Sequence, residues 1–188
     1  MKNPSSKGRN YERQKAKELS LWWTEGERDD AIWLTSQSGG RATERYKKGN
    51  KTANQYGDLT FTDPIAEPLF KYFLFELKRG YTKEIDVLAL LDSKGKNDPT
   101  ILQWWKKAER DRSRGGQKHI ALLLQRNRCE ECLLLATQTI AELEEQNGMY
   151  LKNHLGIFLV DTNLIIIPYI NFLEWCPPET IKELMKCQ

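Results

Sequence analysis

Apolar residues recur along the chain with two spacings, which predict a mixture of strands and helices. Short alternating or continuous apolar runs predict strands, and apolar positions repeated every three or four residues predict helices. The predicted strands are 31–36, 58–62, 70–78, 119–125, 132–137 and a late hairpin of "GIFLV" with "LIIIP". The predicted helices are 11–23, 83–92, 99–113, 138–147 and 178–186. Strands separated by helices indicate an α/β domain with a central mixed β-sheet flanked by helices.

Local signals place the ends of two of these helices. Asn10 is a suitable cap for the first helix, and Asp98 followed by Pro99 suits the start of the helix at 99–113. Glycines at 115 and 116 are expected to end that helix. The polar, glycine-bearing segment 37–57 is predicted to be a loop, and loops of this length in compact domains are often functional.

Length and composition favour one folded domain that occupies residues 1–188. No apolar run approaches the length of a membrane span, and the first residues lack the apolar core of a secretory signal. These features predict a cytoplasmic protein without a membrane partner. The four cysteines are then expected to be reduced thiols.

Basic residues are concentrated in two segments although the net charge is only +3. Between Ser36 and Gly57 there are five basic residues and one acid, and between Leu102 and Lys118 there are six and two. Basic patches attract polyanions even on a nearly neutral protein. Either run alone is most simply a solvated surface, but two runs around one cluster of carboxylates favour a nucleic acid as partner.

That cluster lies on the second and third predicted strands. Side chains alternate across a strand, so Glu76 and Lys78 share one face of "YFLFELKRG". Asp58 opens the preceding strand. If the two strands pair as a hairpin centred near residue 66, Asp58 lies close to Glu76, and all three side chains converge at the open end of the hairpin.

Such a cluster has an obvious chemical use. Two neighbouring carboxylates repel each other unless a cation lies between them, and Mg²⁺ accepts a carboxylate pair while keeping waters for a phosphate substrate. Lys78 could orient or help deprotonate an attacking water and balance charge that grows on the phosphate. For "ELK" alone, a plain salt bridge or an exposed strand end is the simpler interpretation. Asp58 on a pairing strand favours catalysis.

Glu12 heads an otherwise apolar stripe of the first helix, formed with Ala16, Leu19 and Trp23. A glutamate in that position is expected to point inward at the edge of the core. Equally, an acid in the first turn could simply complement the helix dipole.

The ordered set of motifs resembles the PD-(D/E)xK nuclease superfamily over residues 8–126. It comprises "GRNYERQKAKEL", "AIWLTSQSGG", "YGDLTFT", "FLFELKRG" and "TILQWWKKAERDR". The "ER" in the first helix and "SGG" after the first strand are similar to the Holliday-junction-resolvase branch and related phage endonucleases. One departure is Gly57, which stands where the pattern has a proline before the aspartate. Residues 127–188 lie outside the resemblance and either complete the sheet or form an appendage.

The resemblance implies a restriction-endonuclease-like fold and hydrolysis of DNA phosphodiester bonds with Mg²⁺ or Mn²⁺. It makes Asp58 and Glu76 metal ligands, with the Leu77 carbonyl as a third. Lys78 would be the catalytic lysine, and Glu12 a helper carboxylate near the metal.

The resemblance also gives the basic segments a role in binding DNA. Backbone amides and basic side chains of the loop would lie beside the metal, and one face of the helix at 99–113 would face the DNA backbone. The predicted DNA-binding residues are Ser38, Gly39, Gly40, Arg41, Arg45, Lys47, Lys48, Arg79, Gln103, Lys107, Arg110 and Arg114.

Several alternatives stay open at this stage. A junction resolvase would act as a symmetric homodimer on branched DNA, whereas a restriction or repair nuclease would carry the same catalytic residues. A DNA-binding protein that lacks cleavage is a hypothesis from another class. A zinc-stabilised module is a further one, because Cys129 and Cys132 form a close pair, although Cys176 and Cys187 are too far apart to form a second.

Overall fold

The structure is a computed structural model of the 188-residue chain. It describes residues 4–35, 56–80, 84–86, 88–91, 98–152, 155–158 and 163–186. Within these residues the strands are β1 (Ile32–Leu34), β2 (Leu59–Phe61), β3 (Phe73–Arg79), β4 (His119–Gln125), β5 (Cys132–Ala136), β6 (Leu155–Phe158) and β7 (Asn163–Pro168). The α-helices are α1 (Pro4–Trp23), α2 (Glu67–Tyr72), α3 (Thr100–Gly115), α4 (Thr137–Asn147), α5 (Tyr169–Trp175) and α6 (Pro178–Lys186). Two 3₁₀ turns lie at Pro64–Ala66 and Leu88–Leu91.

The central sheet has five strands in the order β3-β4-β5-β7-β6. β3 and β4 are parallel, and α3 forms the crossover between them, while the other neighbours are antiparallel. The late pair β6–β7 confirms the predicted hairpin. The protein is therefore an α/β protein with a mixed central sheet flanked by helices, as predicted.

Each face of the sheet packs against its own hydrophobic core. One face, which includes Phe73, Phe75 and Leu77 of β3, packs with α1, α2, α4, α5 and α6. The opposite face, which includes Leu74, packs against Ile101, Trp105 and Ala108 of α3. Because side chains alternate along a strand, Glu76 and Lys78 share the face of Leu74 and project on the α3 side of the sheet.

β1 and β2 form a separate antiparallel ribbon in which Trp33 is opposite Thr60. The predicted hairpin between residues 58–62 and 70–78 was therefore wrong as a strand ladder, because β2 pairs with β1. Contact between β2 and β3 is made by the residue just before β2, where the Asp58 amide donates to the Phe75 carbonyl at 2.8 Å.

Three of the predicted elements differ from the structure. The first helix begins at Pro4, so Asn10 lies inside α1 and is not its cap. Residues 70–72 are helical because Asp63 caps a 3₁₀ turn that continues into α2, and the strand starts at Phe73. The predicted helix at 83–92 is reduced to the 3₁₀ turn Leu88–Leu91 among its described residues, and α5 was not predicted at all.

The end of α3 was predicted correctly, since Gly116 adopts the left-handed conformation with φ +80° and caps it. At the start of α3, Pro99 is the cap residue, with no hydrogen bond from a capping side chain. Within the described part of the chain, no helix is both long and apolar enough to cross a membrane.

Candidate active site

Asp58 is held against β3 by the backbone of its own segment. Gly57, with φ +80°, brings the chain so close to β3 that a Cβ there would lie 2.6 Å from the Phe75 carbonyl oxygen. Thr35 fixes the other side, since its hydroxyl donates to the Gly57 carbonyl at 3.0 Å and its amide donates to the Asp58 carbonyl at 3.1 Å. The Asp58 side chain then accepts a hydrogen bond from the Leu77 amide at 2.7 Å. Asp58 is thus placed by contacts on both sides rather than by a β-ladder.

β3 supplies the other two members of the cluster. Lys78 Nζ donates to Glu76 Oε1 at 2.6 Å and lies 3.9 Å from Asp58 Oδ2. Glu76 is buried, and its second oxygen, Oε2, is buried without a hydrogen-bond partner. The structure therefore brings Asp58, Glu76 and Lys78 together at the edge of the sheet.

A second lysine reaches the same carboxylate. Lys107, on α3, donates to Glu76 Oε1 at 3.2 Å and to Asp111 Oδ2 at 3.1 Å. Asp111 is buried and also faces Arg114 Nη1 at 3.9 Å. Two ammonium groups therefore donate to Glu76 Oε1, whereas no hydrogen-bond donor of the described residues contacts Glu76 Oε2.

The two carboxylates of the cluster are shifted in opposite directions. Burial and the neighbouring Glu76 charge raise the pKa of Asp58 to about 7. Burial also acts to raise the pKa of Glu76, but Lys78 and Lys107 outweigh it and hold that pKa below its ordinary value. Although burial opposes the charged form of Lys78, Asp58 and Glu76 raise its pKa, so it is an ammonium at neutral pH.

The donor atoms of this cluster fit a hard divalent cation. Two carboxylates from neighbouring segments converge, and one oxygen of the buried carboxylate lacks any hydrogen-bond donor. The Leu77 carbonyl faces the same side, since it accepts a hydrogen bond from Lys78 Nζ at 3.3 Å. Oxygen atoms of this kind are the ligands that Mg²⁺ prefers. Among the described residues, no group of three or more His, Cys, Asp or Glu side chains is arranged to hold a metal; a site here would use two carboxylates, a carbonyl and water.

Glu12 lies at the border of this cluster. Ala16, Leu19 and Trp23 of its stripe are buried in the core, whereas Glu12 is half-buried. Burial raises the pKa of Glu12, and the opposing charges of Lys78 and Glu76 both act on it. The charges of the two strand residues therefore reach Glu12, while its role as a helper carboxylate stays a prediction.

The predicted DNA-binding residues fall into two groups. Those of the loop, Ser38, Gly39, Gly40, Arg41, Arg45, Lys47 and Lys48, lie outside the described residues. Of the others, Arg79 is exposed at the end of β3, where its guanidinium lies 5.0 Å from the centre of the Tyr11 ring. Arg110 and Arg114 line a surface groove on α3 together with Lys106, Glu109 and Ser113.

Two helix residues behave differently from the rest of that set. Gln103 donates to the Asp98 carbonyl at 2.7 Å, a contact at the start of α3. Lys107 contacts Glu76 and so belongs to the carboxylate cluster itself, a position that helical periodicity alone did not reveal. Asp111 and Trp104 were missed, although Asp111 follows Lys107 at a spacing of four, which places both on one side of a helix. Trp104 lies under Lys78, with Nζ 6.0 Å from the ring centre.

The cysteines show no sign of a zinc site in the part of the chain that the structure describes. Cys129 is exposed, Cys132 is half-buried and Cys176 is buried, and all three are free. Burial raises the pKa of the Cys176 thiol to about 12, so this group is an inert part of the core.

A comparison with known proteins agrees with the geometry. Residues 3–182 match a family model described as "Phage putative PDDEXK endonuclease". No curated protein and no solved structure matches the chain. The match continues past residue 126, so the expectation that the C-terminal part lies outside the resemblance was wrong: the match includes β5, β6, β7, α4, α5 and the first part of α6. Because the matched residues make up nearly the whole chain, the protein belongs to this family of phage PDDEXK endonucleases.

Proposed function

We propose that the protein is a metal-dependent DNA endonuclease that hydrolyses phosphodiester bonds with Mg²⁺ or Mn²⁺. The observation that carries this proposal is the convergence of Asp58, Glu76 and Lys78, with Lys78 Nζ 2.6 Å from one carboxylate and 3.9 Å from the other. The lysines contact only one oxygen of the buried Glu76, and its Oε2 is buried without a hydrogen-bond partner among the residues that the structure describes, so salt bridges alone explain the cluster poorly. The family to which the chain belongs supports the same chemistry.

Asp58, Glu76 and the Leu77 carbonyl would hold the metal. A divalent ion bound there supplies a Lewis acid that offsets negative charge on the reacting phosphate. Lys78 would act as a charged donor: its ammonium orients a water or a phosphate oxygen and stabilises negative charge, rather than removing a proton. Glu12 would accept a hydrogen bond from water at the border of the site.

The remaining features describe how DNA would be bound. Arg79 is exposed and follows Lys78 on β3, and the groove lined by Arg110 and Arg114 lies on α3, the helix that carries Lys107; these basic side chains would contact phosphates. We propose DNA, duplex or branched, as the partner, and the cytoplasm of a host cell as the place of action. We further propose that residues 1–188 form one nuclease domain.

Plasmid cleavage tests the proposal directly. Purified full-length protein is incubated with supercoiled plasmid in Mg²⁺, in Ca²⁺ and in chelator. We expect nicking in Mg²⁺ that chelator abolishes. Glu76→Gln and Lys78→Met should each lower the rate roughly a hundredfold or more, because each removes a charged group that would act at the reacting phosphate.

Lys71→Met is the matched control, since Lys71 is an exposed lysine of α2 whose ion-pair partner is Glu67. Its cleavage rate should equal that of the wild type, and thermal unfolding must show that all variants fold. Metal-independent binding without any nicking would contradict the enzyme and favour a non-catalytic DNA-binding protein. Unfolding on chelation, again without nicking, would favour a metal-stabilised module.

Two refinements use the same protein. Cleavage of a synthetic four-way junction compared with a linear duplex of the same sequence distinguishes a resolvase-like enzyme from a restriction- or repair-type nuclease. Sedimentation analysis then tests the symmetric homodimer that a resolvase needs to cut two strands.

A further inference from the structure

Two lysines pair with the buried Glu76 carboxylate. Lys78 and Lys107 both donate to Glu76 Oε1, at 2.6 and 3.2 Å. Two ammonium groups thus share one oxygen of a carboxylate that is proposed to bind the metal. A divalent cation bound to Glu76 would repel both ammonium groups, and this repulsion is relieved when one of them moves away.

Lys107 is the lysine that is able to move. Its side chain is 48% exposed, whereas that of Lys78 is 15% exposed. Lys107 also has a second partner, because Asp111 Oδ2 accepts from it at 3.1 Å. Asp111 is one turn further along α3 and buried, so it provides a fixed anchor beside the site. Lys107 can therefore leave Glu76 without leaving the neighbourhood of the site.

We infer that Lys107 is a further residue of the active site and exchanges partners during the binding of metal and DNA. In the free protein its ammonium donates to Glu76 Oε1 and supplies positive charge that the metal would otherwise supply. When a divalent cation binds to the carboxylates, Lys107 releases that oxygen and, still anchored by Asp111, contacts a phosphate of the DNA. This inference rests on the proposed function for the metal site at Asp58 and Glu76 and for the phosphate ligand.

If Lys107 exchanges partners, one substitution should raise the affinity for Mn²⁺ and lower the affinity for DNA. Lys107→Met removes a cation that competes with the metal but keeps the length of the side chain. By calorimetry on the metal-free protein, we expect Mn²⁺ to bind Lys107→Met about threefold to tenfold more tightly than the wild type. Affinity for duplex DNA, measured by fluorescence anisotropy in Ca²⁺, should fall by about tenfold, because a phosphate contact is lost.

Two variants serve as controls. Lys106→Met alters the preceding residue, whose ammonium pairs with the exposed Asp98 at 2.7 Å, and should leave Mn²⁺ affinity within about twofold of the wild type. Lys107→Arg keeps the positive charge and should retain the weaker Mn²⁺ affinity of the wild type. Thermal unfolding confirms that each variant is folded before its ligands are compared.

Asp111→Asn tests the anchor. Without the acid, Lys107 remains close to Glu76 as an uncompensated charge, so Mn²⁺ affinity should fall. In the Lys107→Met background that fall should largely disappear, because the effect acts through the lysine. An equal fall in both backgrounds would show that Asp111 attracts the metal directly and would overturn the anchor role.

The outcomes separate this inference from the proposed function. Unchanged or weaker Mn²⁺ binding by Lys107→Met overturns the exchange even if the wild type cleaves DNA. Tighter Mn²⁺ binding with unchanged DNA affinity overturns the phosphate contact. Tighter Mn²⁺ binding and weaker DNA binding in a protein that never cleaves would support the exchange and contradict the endonuclease.

Discussion

At the scale of single residues, Gly57 determines whether Asp58 can reach the site. Its φ of +80° and the 2.6 Å between an added Cβ and the Phe75 oxygen leave room for glycine alone. The superfamily pattern has a proline before this aspartate, yet the φ of proline is confined to negative values. The departure noted in the sequence therefore has a structural reason: this chain brings Asp58 to β3 through a close contact of two backbones.

Gly57→Ala should lower the free energy of unfolding by about 2–4 kcal/mol, because the methyl group adds a clash to the cost of a left-handed backbone. Gly26→Ala is the control, since Gly26 has φ +91° and nothing within 4 Å of an added Cβ. Gly26→Ala should lower the free energy of unfolding only by the cost of a left-handed backbone at alanine, about 1 kcal/mol. Urea unfolding measures both, and equal costs for the two variants would contradict the close contact.

Sequence reasoning predicted part of the site for clear physical reasons. Alternation along a strand places Glu76 and Lys78 on one face, whichever strand is the neighbour. The nearness of Asp58 was predicted from a hairpin that does not exist, although the chain still returns past β3 at this point. Lys107 was assigned to a DNA-facing surface because helical periodicity defines a face of α3 but not which strand residue that face meets. Such a contact depends on tertiary packing.

At the scale of elements, Lys15 connects α1 to the start of β5 and to α5 through its side-chain contacts. It is buried, and its ammonium pairs with Glu18 and Glu131 and lies 4.6 Å from the centre of the Tyr169 ring. Glu131 precedes β5, and its carbonyl accepts from the Tyr169 amide at the start of α5 at 2.9 Å. One buried lysine thus joins α1 to two other elements, and Glu12 lies a turn away from it on the same helix.

Lys15→Met should lower the free energy of unfolding by about 3 kcal/mol, because it leaves Glu131 without its buried partner. Lys17→Met, two residues further on, removes an exposed pair with Asp29 at 2.9 Å and should cost less than about 1 kcal/mol. Chemical denaturation provides the comparison. If both variants lower the free energy of unfolding equally, the buried contacts of Lys15 do not stabilise the packing of α1.

The elements that sequence reasoning missed have short or ambiguous patterns. α5 has only seven residues and directly follows β7, so its apolar positions appear to extend the strand. Residues 70–72 continue the aromatic run of β3, and only the cap by Asp63 and the position of Pro68 reveal a helix there. The long or well-bounded elements α3, α4, α6, β4 and β5 were predicted within a few residues, because periodicity and glycine caps agree.

At the scale of the whole molecule, the raised pKa of Asp58 makes the free energy of unfolding depend on pH. The folded-state pKa of Asp58 is about 7, above its ordinary value of 3.8, so the folded protein holds this proton more tightly than the unfolded chain does. The resulting stabilisation is fully present below the ordinary pKa and is lost as the pH rises through 7. A bound cation would restore part of it, since it favours the ionised carboxylate.

Asp58→Asn should therefore become more stable than the metal-free wild type as the pH rises from 5 to 8, by on the order of 2 kcal/mol at the upper end. The asparagine resembles the protonated acid and cannot ionise. Urea unfolding in chelator at both pH values measures the difference. Adding Mn²⁺ at pH 8 should raise the stability of the wild type but not that of the variant. Parallel pH profiles for the two proteins would contradict the raised pKa.

The parallel pairing of β3 with β4 also has a consequence during synthesis. A nascent chain that has left the ribosome only as far as α3 already carries Glu12, Asp58, Glu76 and Lys78, but it lacks the strand against which β3 is held. The proposed active site is then expected to remain unassembled until Gln125 has left the ribosome.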